Sequence, residues 1–216
     1  MPPRVKICCI SSAEEANMAI EYGASAIGLV GNMPSGPGVI SDELIFTIAQ
    51  QVPPPIGTFL LTSEVSAKSI INHHQKVFTN TIQIVDALQE GNYAEIKKAL
   101  PSIKLVQVIH VLDESSIDEA LEISEQVDAL LLDSGNPNLA VKVLGGTGRI
   151  HNWQLSKKIV SQSRVPVFLA GGLNPVNVKE AIDIVQPFGL DLCSSVRTDG
   201  KLDPQKLEAF FKATLG

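Results

Sequence analysis

Short apolar runs alternate with amphipathic segments from one end of the chain to the other, the βαβα rhythm of a parallel sheet covered by helices. Eight strands are predicted, at Val5–Cys9, Ala26–Val30, Ile56–Leu61, Thr81–Val85, Leu105–His110, Ala129–Asp133, Val167–Ala170 and Leu190–Cys193. Helical patterns lie between and after them at Ala13–Tyr22, Asp42–Gln51, Val65–Lys76, Tyr93–Leu100, Ser116–Gln126, Trp153–Gln162, Val176–Val185 and Pro204–Ala213. Eight strand–helix pairs close a barrel, so the expected fold class is α/β, a single-domain (β/α)8 TIM barrel spanning residues 1–216. The alternative is a doubly wound open sheet. It usually has fewer strands, and no GxGxxG follows the first strand here to signal a dinucleotide site.

Composition narrows the function. At 216 residues, 44% of them hydrophobic, the chain can bury a full core as one unit. A net charge of −6 lacks the basic excess that nucleic acid or an anionic membrane favours, so neither is an expected partner. Local backbone dipoles can still hold a phosphorylated ligand. The start, MPPRVKICCI, has no extended apolar core behind a basic region, and no later segment holds about 18 uninterrupted apolar residues, so a cytoplasmic protein is expected. Three cysteines, with Cys8 and Cys9 adjacent and Cys193 far away, do not suggest a disulfide framework, and reduced thiols are expected.

The stretch from Val167 to Ser195 has two apolar strands that stop at small residues, Gly171-Gly172 and Ser194-Ser195, on either side of a helix. Small residues let backbone N–H groups approach an anion, and a helix N-terminus adds about half a positive charge. In a (β/α)8 barrel the loops after strands 7 and 8 are where phosphate usually sits. The bland alternative is a pair of tight turns. Gly and Pro also cluster at Met33–Ile40 after strand 2 and at Ser134–Arg149 after strand 6, both on the C-terminal side where a barrel builds its active site.

Alternation along Val5-Lys6-Ile7-Cys8-Cys9 puts Lys6 and Cys8 on one face and Val5 and Ile7 on the other, so Cys8 points into the barrel mouth. A thiol with a reference pKa near about 8.5 suits a general base or nucleophile, and equally a small buried hydrophobe. Asp133 ends the apolar run of strand 6, where desolvation would raise its pKa toward that of a proton donor; a cap on the Ser134-Gly135-Asn136 turn is the alternative. Asp128 begins the same strand and belongs at the opposite, stability face. His73 and His74 are expected to be solvated, whereas His110 and His151 are better placed to line a pocket. No CxxC, HExxH or clustered carboxylates appear, so no metal site is expected.

These features resemble the phosphoribosylanthranilate isomerase family over nearly the whole chain. Its motifs are matched by Lys6-Ile7-Cys8-Cys9-Ile10-Ser11, by Leu131 to Ser134, by Gly145-Gly146-Thr147-Gly148 followed by His151-Asn152-Trp153, by the segment Leu169 to Ile182 and by Asp191 to Val196. The resemblance implies a cofactor-free Amadori rearrangement, in which a ring-closed phosphoribosyl aminoaldose becomes an open-chain aminoketose. Asp133 would be the general acid that opens the ring, Cys8 the general base at C2, and Gly146, Gly171, Gly172, Ser194 and Ser195 the phosphate cradle. Lys6, Gln83, His110, Arg149 and Arg197 complete the expected substrate contacts, in a monomer or homodimer.

The departures fall on the side that would hold the aromatic acid. Where the family carries an arginine after strand 2, this chain has Ser35-Gly36-Pro37-Gly38, which leaves Arg149 and Arg197 as possible substitutes. Arg197 stands in place of a glutamate, Cys9 in place of a glycine, and Gln83-Ile84-Val85-Asp86 in place of QLHG. Two other readings therefore stay open: an isomerase of another phosphorylated aminosugar or ketose, and a non-catalytic phosphosugar-binding barrel. Retention of both Cys8 and Asp133 argues against the second.

Overall fold

The computed structural model describes residues 3–135 and 151–215. Eight parallel strands, β1 (Arg4–Ile7), β2 (Ala26–Val30), β3 (Gly57–Thr62), β4 (Thr81–Ile84), β5 (Lys104–His110), β6 (Ala129–Asp133), β7 (Val167–Leu169) and β8 (Gly189–Leu192), form a closed barrel in chain order. The helices are α1 (Ala13–Glu21), α2 (Asp42–Gln51), α3 (Ala67–Val77), α4 (Tyr93–Ala99), α5 (Ser115–Ser124), α6 (Trp153–Gln162), α7 (Val178–Val185) and α8 (Pro204–Leu215). Ser12, Ser41, Ser66 and Asn92 begin four of them, each accepting a hydrogen bond from the backbone N–H three residues on, which satisfies an otherwise orphaned donor.

Period-two alternation sorts the strand residues into two buried layers. Ile7, Ile27, Leu29, Leu60, Ile82, Ile84, Leu105, Ile109, Leu130, Leu132, Leu169 and Leu190 pack outward against the helices. Cys8, Ala26, Val30, Phe59, Leu61, Val85, Val106, Val108, Ala129, Leu131, Phe168 and Ala170 fill the interior. The barrel closes where β1 pairs with β8, and Lys6 stands directly beside Asp191. Lys6 is completely buried inside the barrel, its ammonium 2.8 Å from the Asp191 carboxylate and 5.3 Å from the centre of the Phe59 ring. Burial alone would lower the lysine pKa, but the Asp191 carboxylate beside it outweighs that cost and holds the ammonium charged.

Three expectations need correction. The first strand ends at Ile7 rather than Cys9, because Cys9 adopts φ +62°, a left-handed conformation that turns the chain out of the sheet. His73 and His74 are not solvated: both are buried, the first hydrogen-bonded to Thr62 Oγ1 at 2.9 Å and Asp42 Oδ1 at 3.1 Å, the second to the Thr79 carbonyl at 2.7 Å. They fasten α3 to the barrel. A short hairpin, β9 (Arg197–Thr198) with β10 (Lys201–Leu202), follows β8 and was not foreseen, since two-residue strands carry no periodic signal.

Removing one member of the Lys6–Asp191 pair strands a charge in the barrel core. Lys6→Met is therefore expected to lower unfolding stability by about 3–5 kcal/mol, and Lys6→Met/Asp191→Asn to recover more than half of the loss, as read by urea denaturation of the three proteins. Equal losses in the single and double variants would show that the ion pair is not what the mutation disturbs.

Candidate active site

The C-terminal mouth of the barrel holds a cavity of about 190 Å³ whose wall includes Cys8, Gln83, Asp133, Gly171, Gly172, Asp191, Ser194 and Ser195. Each of these follows from strand parity or from a turn at a strand exit. Cys8 follows β1 directly and continues its pairing, its N–H donating to the Leu192 carbonyl at 2.7 Å. Its sulfur lies against β2 at Gly28, where an added Cβ would come within 2.9 Å of it, so a side chain there would displace the thiol. Asp133 ends β6 three strands away around the barrel. The two groups come from opposite halves of the sequence and share one cavity.

Burial is the main perturbation of Asp133. It pushes the carboxyl up to about 6, the Asp191 carboxylate adding to the rise while the Ser134 N–H, donating to Oδ1 at 2.8 Å, and Lys6 oppose it. One carboxylate oxygen therefore caps Ser134, as the loop-cap alternative expects, while the side chain still lines the cavity. Asp128 lies at the opposite end of the strand, accepting from the Leu105 N–H at 2.9 Å and facing Lys97 and Lys104 at 3.5 Å, which fits the stability role.

On the phosphate side, Gly171 and Gly172 take φ +84° and +64°, conformations that a Cβ would strain. Asn174 and Asn177 both donate side-chain N–H groups to the Gly172 carbonyl, at 3.2 and 2.9 Å, and so fix the shape of the loop. Across the mouth, Ser194–Val196 forms a single 3-10 turn straight after β8. Gly146 and Arg149 lie outside the described residues.

The remaining expected contacts divide. Gln83 lines the cavity, and its Oε1 is buried without a hydrogen-bond partner, a polar atom left for a ligand to satisfy. Lys6 lies below the floor, committed to Asp191. His110 Nε2 bonds the Val85 carbonyl at 3.1 Å and His151 Nε2 the Ser156 hydroxyl at 2.7 Å; neither ring is part of the wall, and burial depresses both pKa values, that of His151 to about 4. Arg197 is also absent from the wall and is bound to Glu15. Among the described residues, then, no Lys, Arg or His side chain lines the cavity, and its charged members are Asp133 and Asp191.

Sequence reasoning missed Asp191 as a wall residue, although its place between the outward Leu190 and Leu192 was a usable signal. It also missed the contact between Cys193 and Cys9, whose sulfurs are 2.7 Å apart across the β1–β8 seam. Hydrogen bonds with Cys193 and Cys8, and then burial, push the Cys9 thiol up, while the same contact with Cys9 lowers Cys193. Among the described residues no group of His, Cys, Asp and Glu is arranged to hold a metal ion, and no helix is long and apolar enough to cross a membrane.

Comparison with known proteins gives a consistent likeness. The family model for N-(5'-phosphoribosyl)anthranilate isomerase matches residues 5–213. N-(5'-phosphoribosyl)anthranilate isomerase 2 of Methanosarcina mazei is 34% identical over 209 residues, covering 96% of this chain and 92% of the relative. Among solved structures, phosphoribosyl anthranilate isomerase from Thermotoga maritima superposes with a TM-score of 0.81 at 30% identity, covering 99% of this chain and 98% of that one. A phosphoribosyl anthranilate isomerase in complex with reduced 1-(o-carboxyphenylamino)-1-deoxyribulose 5-phosphate gives 0.78 at 28% identity, with the same coverage.

The raised pKa of Asp133 carries a stability consequence with a definite sign. Between the unfolded value near about 4 and the folded value, the native state binds the extra proton, so stability falls as pH rises through this window. Above pH 6 the ionised carboxylate is a net cost to the fold, so Asp133→Asn is expected to be more stable than the parent at pH 7 by on the order of 2 kcal/mol and to lose the decline between pH 4 and 6. Urea denaturation at several pH values reads both. A variant less stable at pH 7 would contradict the assignment of a strained, ionised carboxylate.

Proposed function

The chain belongs to the N-(5'-phosphoribosyl)anthranilate isomerase family, and from that premise we propose that Cys8 and Asp133 carry out its isomerisation as base and acid. The observation that supports this most directly is a single desolvated cavity with a thiol on one wall, a carboxyl with a pKa of about 6 on another, and a small-residue rim between β7 and β8. The substrate phosphate rests on backbone donors of Gly171-Gly172 and Ser194-Ser195, which places the ribose across the mouth. Asp133 gives its proton to the furanose oxygen as the C1–O bond breaks, leaving an iminium at C1. The Cys8 thiolate takes the proton from C2, and the electron pair released forms the C1–C2 enolamine by neutralising the iminium. Tautomerisation gives the C2 ketone, so no net proton or electron is consumed. Gln83 offers its amide to the sugar or to its nitrogen substituent, which would satisfy an otherwise orphaned atom.

A specific observation favours a second reading of the substituent. Among the described residues the wall formed by Met33, Ser35, Gly36 and Pro37 offers no cation for an aromatic carboxylate. A phosphorylated aminosugar with an uncharged substituent fits that wall as described, and the two substrates share every proton transfer above. Either is handled by a monomer or homodimer. Cytoplasmic residence is part of this reading, since all three cysteines are free thiols suited to a reducing compartment.

Turnover of freshly prepared phosphoribosylanthranilate, followed by loss of its fluorescence, tests the proposal. Cys8→Ser and Asp133→Asn are each expected to lower kcat by about 100-fold or more. Activity is expected to decline as pH rises through about 6, where Asp133 loses the proton it must donate. Full activity in either variant would remove that residue from the mechanism. A parent protein that converts an uncharged N-phosphoribosyl amine but not phosphoribosylanthranilate would select the second substrate.

A further inference from the structure

Arg197 neither lines the cavity nor faces solvent; its side chain is 8% exposed and that of its partner Glu15 is 12% exposed. One terminal nitrogen, Nη1, donates to both Glu15 carboxylate oxygens, at 2.9 and 3.1 Å, and to the Gly200 carbonyl at 3.0 Å. The other, Nη2, donates to the carbonyls of Cys8 at 3.2 Å and Cys9 at 2.6 Å. Glu15 is held in turn by the N–H groups of Leu202 at 2.8 Å and Ser11 at 3.0 Å. Burial alone would push its carboxyl up, yet the hydrogen bonds from Arg197, Leu202 and Ser11 keep it below its ordinary value, so the pair stays ionised.

The geometry of the two carbonyls is what gives this pair a role. In an extended strand successive carbonyls point to opposite sides, and one nitrogen cannot reach both. They converge here because Cys9 has φ +62°, a conformation that is unfavourable for any residue with a Cβ and persists only where its surroundings enforce it. Cys9 is further confined by Gly38 in the loop after β2, where an added Cβ would lie 2.5 Å from the Cys9 Cβ. This turn ends β1 and aims the Cys8 thiol into the cavity, against Gly28.

We propose that Arg197 is a positioning residue for proton abstraction: clamped by Glu15, its guanidinium fixes the Cys8–Cys9 turn through both carbonyls and thereby sets where the Cys8 thiol points. The inference rests on the reading of Cys8 as the base. A planar fork with several donors is needed, so lysine, with its single nitrogen, cannot serve both carbonyls and Glu15 together. Because Arg197 stands behind the turn and not in the wall, its loss affects the chemical step more than ground-state binding.

The experiment compares the parent with Arg197→Met, Arg197→Lys and Arg197→Met/Cys9→Gly, using steady-state kinetics and the iodoacetamide alkylation rate of Cys8, resolved from Cys9 and Cys193 by peptide mass spectrometry. Arg197→Met is expected to lower kcat by about 10–100-fold, with KM within about threefold of the parent. Its Cys8 should be alkylated about threefold or more faster, because the loosened turn exposes the thiol. Arg197→Lys should fall between the two. Glycine adopts positive φ without strain, so adding Cys9→Gly should return about half or more of the lost activity and slow the alkylation again. An unchanged kcat and alkylation rate in Arg197→Met, or equal losses in kcat and in thermal stabilisation by inorganic phosphate, would overturn the inference. If the parent itself fails to turn over phosphoribosylanthranilate, the proposed function fails, while the Cys8 alkylation rates and their reversal by Cys9→Gly still decide whether Arg197 holds the turn.

Discussion

Closure of the barrel between β1 and β8 is the constraint from which the site follows. These strands lie at the two ends of the chain, and their register, with Arg4 beside Gly189 and Lys6 beside Asp191, fixes the height at which each strand exits. Closure puts a lysine and an aspartate side by side in the barrel interior, where neither would be tolerated alone. It also brings the residue after β1, Cys8, into the wall of the same cavity as Ser194 and Ser195, which follow β8. A register slip of one residue would send Lys6 into the helix layer and Cys8 out of the cavity.

Electrostatics in the mouth extends that constraint. The buried pair satisfies the charge of Asp191, but the carboxylate remains close enough to Asp133 to make a second ionised carboxyl unfavourable. Burial does the rest, and Asp133 retains a proton well above the ordinary carboxylate range. Keeping this group dry and close to another carboxylate costs stability, and the proton it retains as a result is the one the proposed mechanism has it donate. On the other side of the seam the strained turn at Cys9 is held by Arg197 of the β9–β10 hairpin, itself clamped by Glu15 of α1, so two parts of the sequence nearly the whole chain apart meet at one turn.

Much of this was legible in the order of residues. Period-two alternation placed Lys6 and Cys8 inward and Val5 and Ile7 outward, and all four side chains take those directions. Each of the eight strands and eight helices occurs within a few residues of its expected place. Gly171-Gly172 and Ser194-Ser195 do form the rim of one cavity. The errors share a cause. His73 and His74 read as solvated because a polar residue on an amphipathic helix carries no sign of the Thr62, Asp42 and Thr79 groups that meet it from other elements. Arg197 read as a possible substitute for the missing arginine because its partner Glu15 is nearly the whole chain away.

The sequence by itself determined the element order, the barrel class, the inward and outward faces of each strand and the positions of the small-residue turns, because these depend on local periodicity and on backbone conformations that only certain residues allow. Tertiary structure alone decided which charges neutralise each other, which histidines are buried, how far the pKa of Asp133 moves, and that Arg197 is consumed by the scaffold. These depend on which elements the closed barrel brings together, over separations such as 31 positions for His73 and Asp42 and 185 for Lys6 and Asp191, and on the exclusion of water around them, and neither exists until the barrel has closed.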